Sequence, residues 1–292
     1  MRNPAPEANQ SLDLEQLRLS VRRRGLGTDD FRKINEISEM CRQNLPVSEI
    51  KSKVEPLPIL SATMMRAASS AEHGAGRVNT LLYALEVLGY KGIKQVCLSS
   101  LFGPGSEDVA HLNFVRVPLI SKHCLAMGVF ARVFSASVEG VDSDEAFTAG
   151  LFCYVGYLVW ARFMPQMMDR IAATAIHTDC SSLMKLERSA LGYDHAEAGR
   201  MIAEELRFPE PIQLAMACHH NPSAANEEVQ NLAALCHLAS FTLDRLDQPA
   251  VAGTKPEEFD SEILARLNIR LDGLEEMIQQ ATGELTTLSA AA

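Results

Sequence analysis

Histidines carry most of the chemistry this chain can offer. His123, His195, His219 and His220 fall in its second half on segments of helical periodicity, and helices can converge such residues on one pocket. An imidazole is both a metal ligand and a hydrogen-bonding group. A metal reading requires at least three donors pointing inward, whereas a structural reading requires only satisfied hydrogen bonds. His177 and His237 read as ordinary surface or core residues, and His73 and His111 lie near turns. No GxGxxG, Walker loop, GxSxG elbow or HExxH occurs, which removes the simplest routes to a nucleotide-dependent enzyme, a serine hydrolase or a zincin. Ser182-Leu183-Met184-Lys185 fits SxxK, but without SDN and KTG elements Ser182 is better explained as a helix cap.

The elements that must position these side chains are helices. Apolar residues recur with helical spacing almost everywhere, and no strict alternation or Asn-Gly hairpin turn appears, so the expected fold is all-α. The 292 residues suit one large or two modest units, and 47 % hydrophobic against 22 % charged residues excludes wholesale disorder. A formal charge of −10 disfavours general nucleic-acid binding. The local basic patch at Arg18, Arg22, Arg23 and Arg24 reads as a solvated helix end. Seven scattered cysteines without a CxxC pair read as reduced core residues. The N-terminus carries no apolar signal core, and no run approaches the ~18 apolar residues of a membrane span, which makes a cytoplasmic location the expectation.

Punctuation divides the chain into residues 1–105, an N-terminal helical lobe; 106–250, a second helical lobe; and 251–292, a linker with an amphipathic helix. A helix over 11–24 buries Leu14, Leu17 and Val21 behind a Ser11 cap and stops at Gly25 and Gly27. Thr28, with Asp29 and Asp30, caps the next, whose stripe is Phe31, Ile34, Ile37 and Cys41. Ser48 starts a short piece, and Pro58 opens a helix to about Ser70. Gly74 and Gly76 mark a turn, Asn79 or Thr80 caps an apolar helix ended by Gly89, and Gly103-Pro104-Gly105 separates the lobes. From Glu107 to Val138 the pattern predicts one helical stretch kinked or divided at Pro118. Ser143 caps AFTAGLFCYVGYLVW, too apolar all round to lie on the surface. Pro165, then Ser181 or Ser182, open two more helices, and Gly192 closes the second. Asp194 and Glu197 form a capping box, helices follow near 210–220 and 227–246, and Leu274, Met277, Ile278, Ala281 and Leu285 make the apolar face of a docked terminal helix.

Several blocks together resemble the HDOD family, HD-related output domains of bacterial signalling proteins. They are LPILSATMMRAASSAEHG and VNTLLYALEVLGYKGIKQVCLSSLF, then His123 followed by AGLFCYVGYLVW, LERSALGYDHAEAG, FPEPIQLAMACHHNP and LAALCHLAS. The resemblance covers approximately residues 25–250 and makes the second lobe similar to the HD superfamily. HD phosphohydrolases carry a His-Asp pair where this chain has Cys153 and Tyr154, and a final aspartate where it has Ser240. Of the set that holds one metal, only His123 survives. The missing carboxylates would neutralise a divalent ion and position the attacking water.

The resemblance therefore implies a non-catalytic signal-transduction or regulatory module with no catalytic residue, no metal and no cofactor. Its vestigial or ligand-binding pocket comprises His123, Cys153, Tyr154, His195, His219, His220 and Ser240. A signalling protein partner is expected, a homodimer is compatible with it, and membrane binding is not expected. Two alternatives remain: a metal-dependent phosphohydrolase acting on a nucleotide or cyclic dinucleotide, with His195, His219 and His220 holding a different ion, and a sensor in which His123, His195 and His219 donate hydrogen bonds to a small anionic, nucleotide-like ligand.

Overall fold

The computed structural model describes residues 11–24, 31–69, 78–102, 112–177, 183–205, 208–251 and 261–291, and contains helices and no strand among them. The first group is α1 (Leu14–Arg24), α2 (Phe31–Arg42), α3 (Val47–Val54), α4 (Pro58–Ala68) and α5 (Leu81–Phe102). The second is α6 (Val117–Ser135), α7 (Ser143–Phe152), α8 (Val155–Phe163), α9 (Pro165–His177), α10 (Leu183–Leu191), α11 (His195–Glu205), α12 (Glu210–Cys218) and α13 (Glu227–Arg245). α14 (Ser261–Leu267) and α15 (Leu271–Ala291) follow. The expected features at Gly25, Gly27, Thr28, Asp29, Asp30, His73, Gly74, Gly76, Gly103–Gly105, His111, Cys180, Ser181 and Ser182 lie outside the described residues.

The all-α expectation holds, and most differences concern where helices begin. α1 is capped by Asp13 rather than Ser11: the Gln16 amide donates to the Asp13 carboxylate at 2.8 Å while the Gln16 side chain accepts from the Asp13 amide at 3.1 Å. Asp142 rather than Ser143 caps α7, accepting from the amides of Asp144 and Glu145. Pro118 neither kinks nor divides a helix. Residues 112–116 are not helical, and Pro118 lies in the first turn of α6, where its missing N–H costs nothing. Gly89 ends an apolar helix as expected: at φ 57° it breaks α5 into two pieces.

α2, α3, α4 and α5 pack on one another, with Ile34, Ile37, Cys41, Leu60 and Met65 essentially inaccessible. In the second group α6 is central and meets α7, α8, α13 and α15. It approaches α7 at a distance a larger residue would forbid, since a Cβ on Gly150 would stand 2.5 Å from the Met127 carbonyl oxygen. Two stretches, Val117–Ser135 and Ser143–Phe163, are by length and composition apolar enough to cross a membrane, contrary to expectation. Of their windows 67 % and 89 % are buried inside the protein, and the second is interrupted between α7 and α8, so both serve here as core. The described cysteines are free thiols, buried except for half-buried Cys218.

Both terminal helices dock in cis. α1 lies on α11, where Arg18 pairs with Glu204 at 2.8 Å and Arg22 with Glu205 at 2.6 Å, so two of the four expected basic side chains are neutralised. α15 buries Ala281 against α6, and its Glu284 pairs with Arg132, which also reaches the buried Glu55.

Candidate functional site

Local sequence aims five elements at one point. α6 carries His123 on its buried face, just past the proline that starts the helix. The interruption after Phe152 leaves Tyr154 outside regular helix at φ −102°, ψ 12°, at the junction of α7 and α8. The capping box forms as expected, with the Glu197 amide on Asp194 at 2.9 Å and the Asp194 amide on Glu197 at 3.0 Å, and it sets His195 as the first residue of α11. α12 ends at Cys218, and the following turn presents His219 and His220. α13 contributes Ser240 and His237.

Tyr154 occupies the meeting point. Its hydroxyl lies 2.7 Å from Ser240 Oγ, and its ring stacks on His195 with centroids 5.0 Å apart at 16°. The same ring meets His123 edge-on at 4.4 Å, His219 at 5.2 Å and His220 at 6.1 Å. Six of the seven residues expected in the pocket therefore come together. Cys153 departs from them: its thiol donates to the Ala149 carbonyl at 3.2 Å and interacts with Cys236, so it faces the α7–α13 packing. Burial pushes that thiol well above its ordinary pKa, away from the thiolate a metal ligand would need.

Hydrogen bonds orient each ring. A nitrogen facing a carbonyl or carboxylate oxygen must carry the proton, so Nδ1–H donates from His123 to Gln248 O at 2.8 Å and from His219 to Met216 O at 2.7 Å. His195 Nδ1–H donates to Glu187 Oε2 at 2.8 Å. Lone pairs are thereby left on Nε2 of all three. The Nε2 atoms of His123 and His219 are buried with no hydrogen-bond partner among the described residues, while His195 Nε2 lies 3.0 Å from His220 Nε2. Burial holds His123 neutral, its pKa lowered to about 4, and pushes His219 well below the ordinary imidazole value, assisted by His220 and His195.

Glu187 is the residue that sequence reasoning missed. Fully buried, it accepts from the His195 amide at 3.0 Å and ring at 2.8 Å, and from the Tyr157 hydroxyl at 2.5 Å. A signal existed: Leu183, Glu187 and Leu191 are spaced four apart on one face of α10, so a carboxylate interrupts an apolar stripe. His237, read as ordinary, donates from Nδ1 to the His219 carbonyl at 2.8 Å and so supports the turn. A cavity of about 10 Å³ behind Glu187, lined also by Tyr157, Trp160 and Leu183, has room for one water rather than a nucleotide.

Residues 31–222, more than half the chain, match the profile of the HDOD domain. The chain belongs to the HDOD family. The HDOD chain is also 21 % identical over 206 residues to an uncharacterized protein of Treponema pallidum, an alignment covering 70 % of this chain and only 39 % of that protein's length. The MmoQ response regulator of Methylococcus capsulatus superposes with a TM-score of 0.65 at 20 % identity, covering 86 % of this chain and 97 % of that one. An HDOD domain protein of Geobacter sulfurreducens gives 0.54 at 17 %, covering 96 % and 98 %. These likenesses establish the fold.

The HD-superfamily resemblance implies a divalent ion near His123, Cys153, Tyr154 and Ser240. This set does not fit one: the sulfur faces away, the phenol and the hydroxyl bond each other, and there is no carboxylate among the four. Donors that do fit lie alongside. The coordinating nitrogens of His195, His219 and His220 are all within 4.8 Å of one another.

Proposed function

We propose that this HDOD chain is a non-catalytic regulatory module of bacterial cytoplasmic signal transduction that acts by binding a partner protein. One observation carries the reading: the Tyr154 phenol, hydrogen-bonded to Ser240, takes up the space among four imidazoles where hydrolysis would need an ion and its water. Metal-assisted phosphoester hydrolysis requires a polarised water, charge balance for the ion and a group to accept a proton. The buried carboxylate bonded to His195, Glu187, is committed to three donors, and the Cys153 thiol is held protonated. The Methylococcus protein that shares this fold is a response regulator, which is consistent with a signalling role.

The test is hydrolysis. Untagged protein should release no product above the protein-free rate from bis(p-nitrophenyl) phosphate or a cyclic dinucleotide, with Mg²⁺, Mn²⁺ or Zn²⁺ added. Turnover that co-purifies with the chain and disappears in His219→Gln would overturn the proposal.

A further inference from the structure

We propose that His195, His219 and His220 form a regulatory site for one zinc-class divalent ion, and that this ion is a signal the module reads. The inference rests on the non-catalytic reading and adds an input to it. Three imidazoles from α11 and the turn after α12 place their coordinating nitrogens within 4.8 Å of one another, with His195 and His219 fully buried and His220 half-buried.

Two of the rings are held as metal-binding histidines are. His195 gives its Nδ1 proton to the Glu187 carboxylate and His219 gives its own to a backbone carbonyl, which fixes each tautomer and leaves Nε2 as the donor atom. Among the described residues the His219 Nε2 lone pair has no hydrogen-bond partner, in a buried setting where an unmade bond is costly. Between His195 Nε2 and His220 Nε2, 3.0 Å apart, a single proton satisfies both nitrogens. In the neutral form of His195, with its one proton on Nδ1, that shared proton resides on His220. An ion takes its place when that His220 proton moves to Nδ1, a tautomeric shift that releases no proton to solvent and leaves the ion's own charge to be offset.

The donor set selects the ion. Imidazole nitrogens suit Zn²⁺, Co²⁺, Ni²⁺ and Cu²⁺, whereas Mg²⁺, Ca²⁺ and Mn²⁺ prefer oxygen, and no carboxylate is among the three donors. Glu187, one bond behind His195, offsets part of the charge. Zinc–nitrogen bonds of about 2.0 to 2.1 Å cannot separate two ligands by more than about 4.2 Å. The three ligand atoms, now within 4.8 Å of one another, must settle inside that limit, and the 3.0 Å pair must open. Tyr154 touches all three rings and bonds Ser240, so this adjustment passes to the α7–α8 junction and to α13.

The experiment uses the untagged full chain after chelation. Titration with Zn²⁺ should give one ion per chain by elemental analysis and a melting temperature raised by roughly 5 °C at a hundred times Kd. Trp160, the single tryptophan, packs on Tyr157 and Tyr157 on His195, so its emission should change and saturate at the same equivalent. Mg²⁺ should do none of this. Glu187→Gln should weaken zinc by about 10- to 100-fold. His219→Gln and His220→Gln should weaken it further, and His177→Gln, on the exposed end of α9, should bind like the parent. Metal-free melting curves identify variants that fold, and half-buried His220 keeps the test available if His219→Gln does not. Absence of bound zinc in the folded chain, or parental affinity in folded His220→Gln, would overturn the site while leaving the non-catalytic reading in place. Zinc-dependent phosphodiester turnover would overturn the non-catalytic reading and the signalling role assigned to the ion.

Discussion

Alanine at position 156 should cost at least about 3 kcal/mol of folding stability. A Cβ built on Gly156 would lie 2.3 Å from the His195 carbonyl oxygen and 3.1 Å from its carbon. Both obstacles are backbone, so no rotamer change relieves them. α8 and α11 would have to move apart, and with them Tyr157, Glu187 and the ring of His195. Gly199, about one turn after His195 on the same α11, is the internal control: its added Cβ meets nothing nearer than the Met216 methyl at 3.5 Å. Gly199→Ala should be neutral or stabilising by up to about 1 kcal/mol through helix propensity. Urea unfolding of the two variants beside the parent measures the difference. A Gly156→Ala protein as stable as the parent would show that the two helices are not in contact as described.

Acid should loosen the protein before its carboxylates titrate. His123 is neutral in the folded state, with a pKa lowered from 6.5 to about 4 by burial, and facing it are His195, His220, Tyr154 and the Gln248 carbonyl that accepts its Nδ1 proton. A depressed imidazole pKa means that the unfolded chain binds the proton more readily. Its stabilisation is therefore complete above about pH 6.5, declines as pH falls, and stops changing below about pH 4. The difference corresponds to about 3 kcal/mol. His219, shifted in the same direction, adds to the loss and extends it to lower pH. Carboxylates held low by cations, such as Glu205 beside Arg22, contribute their own loss only below about pH 4.5. Unfolding free energy measured from pH 7.5 to 5 should fall steadily, and the slope should be shallower in His123→Gln. A flat profile over that interval would contradict the buried neutral imidazoles.

What could be read from the sequence follows the range of the forces involved. The Asp194–Glu197 box and the break at Gly89 depend on residues within a turn of each other, and both are where sequence reasoning puts them. Asp13 and Asp142 cap helices assigned to Ser11 and Ser143, because neighbouring polar residues compete for the same amides and only the local backbone path decides between them. The histidines were legible as a group since they share helical, inward-facing settings. Their partners were not: Gln248 acts through its carbonyl, 125 positions from His123, and a backbone oxygen leaves no trace in residue identity. Cys153 shows the opposite failure. Alignment with a family motif put it in the pocket, whereas the interruption of the helix turns it toward Ala149 and Cys236 and leaves its neighbour Tyr154 to fill the space.

The central claim is that a phenol occupies the place where reaction would occur, and electron density at that position is its most direct test. A crystal structure of the chelator-treated protein at neutral pH should show the Tyr154 hydroxyl about 2.7 Å from Ser240 Oγ, with its ring against His123, His195, His219 and His220. A Tyr154 ring turned out of the pocket, with water filling the space between His123 and Ser240, would contradict the account.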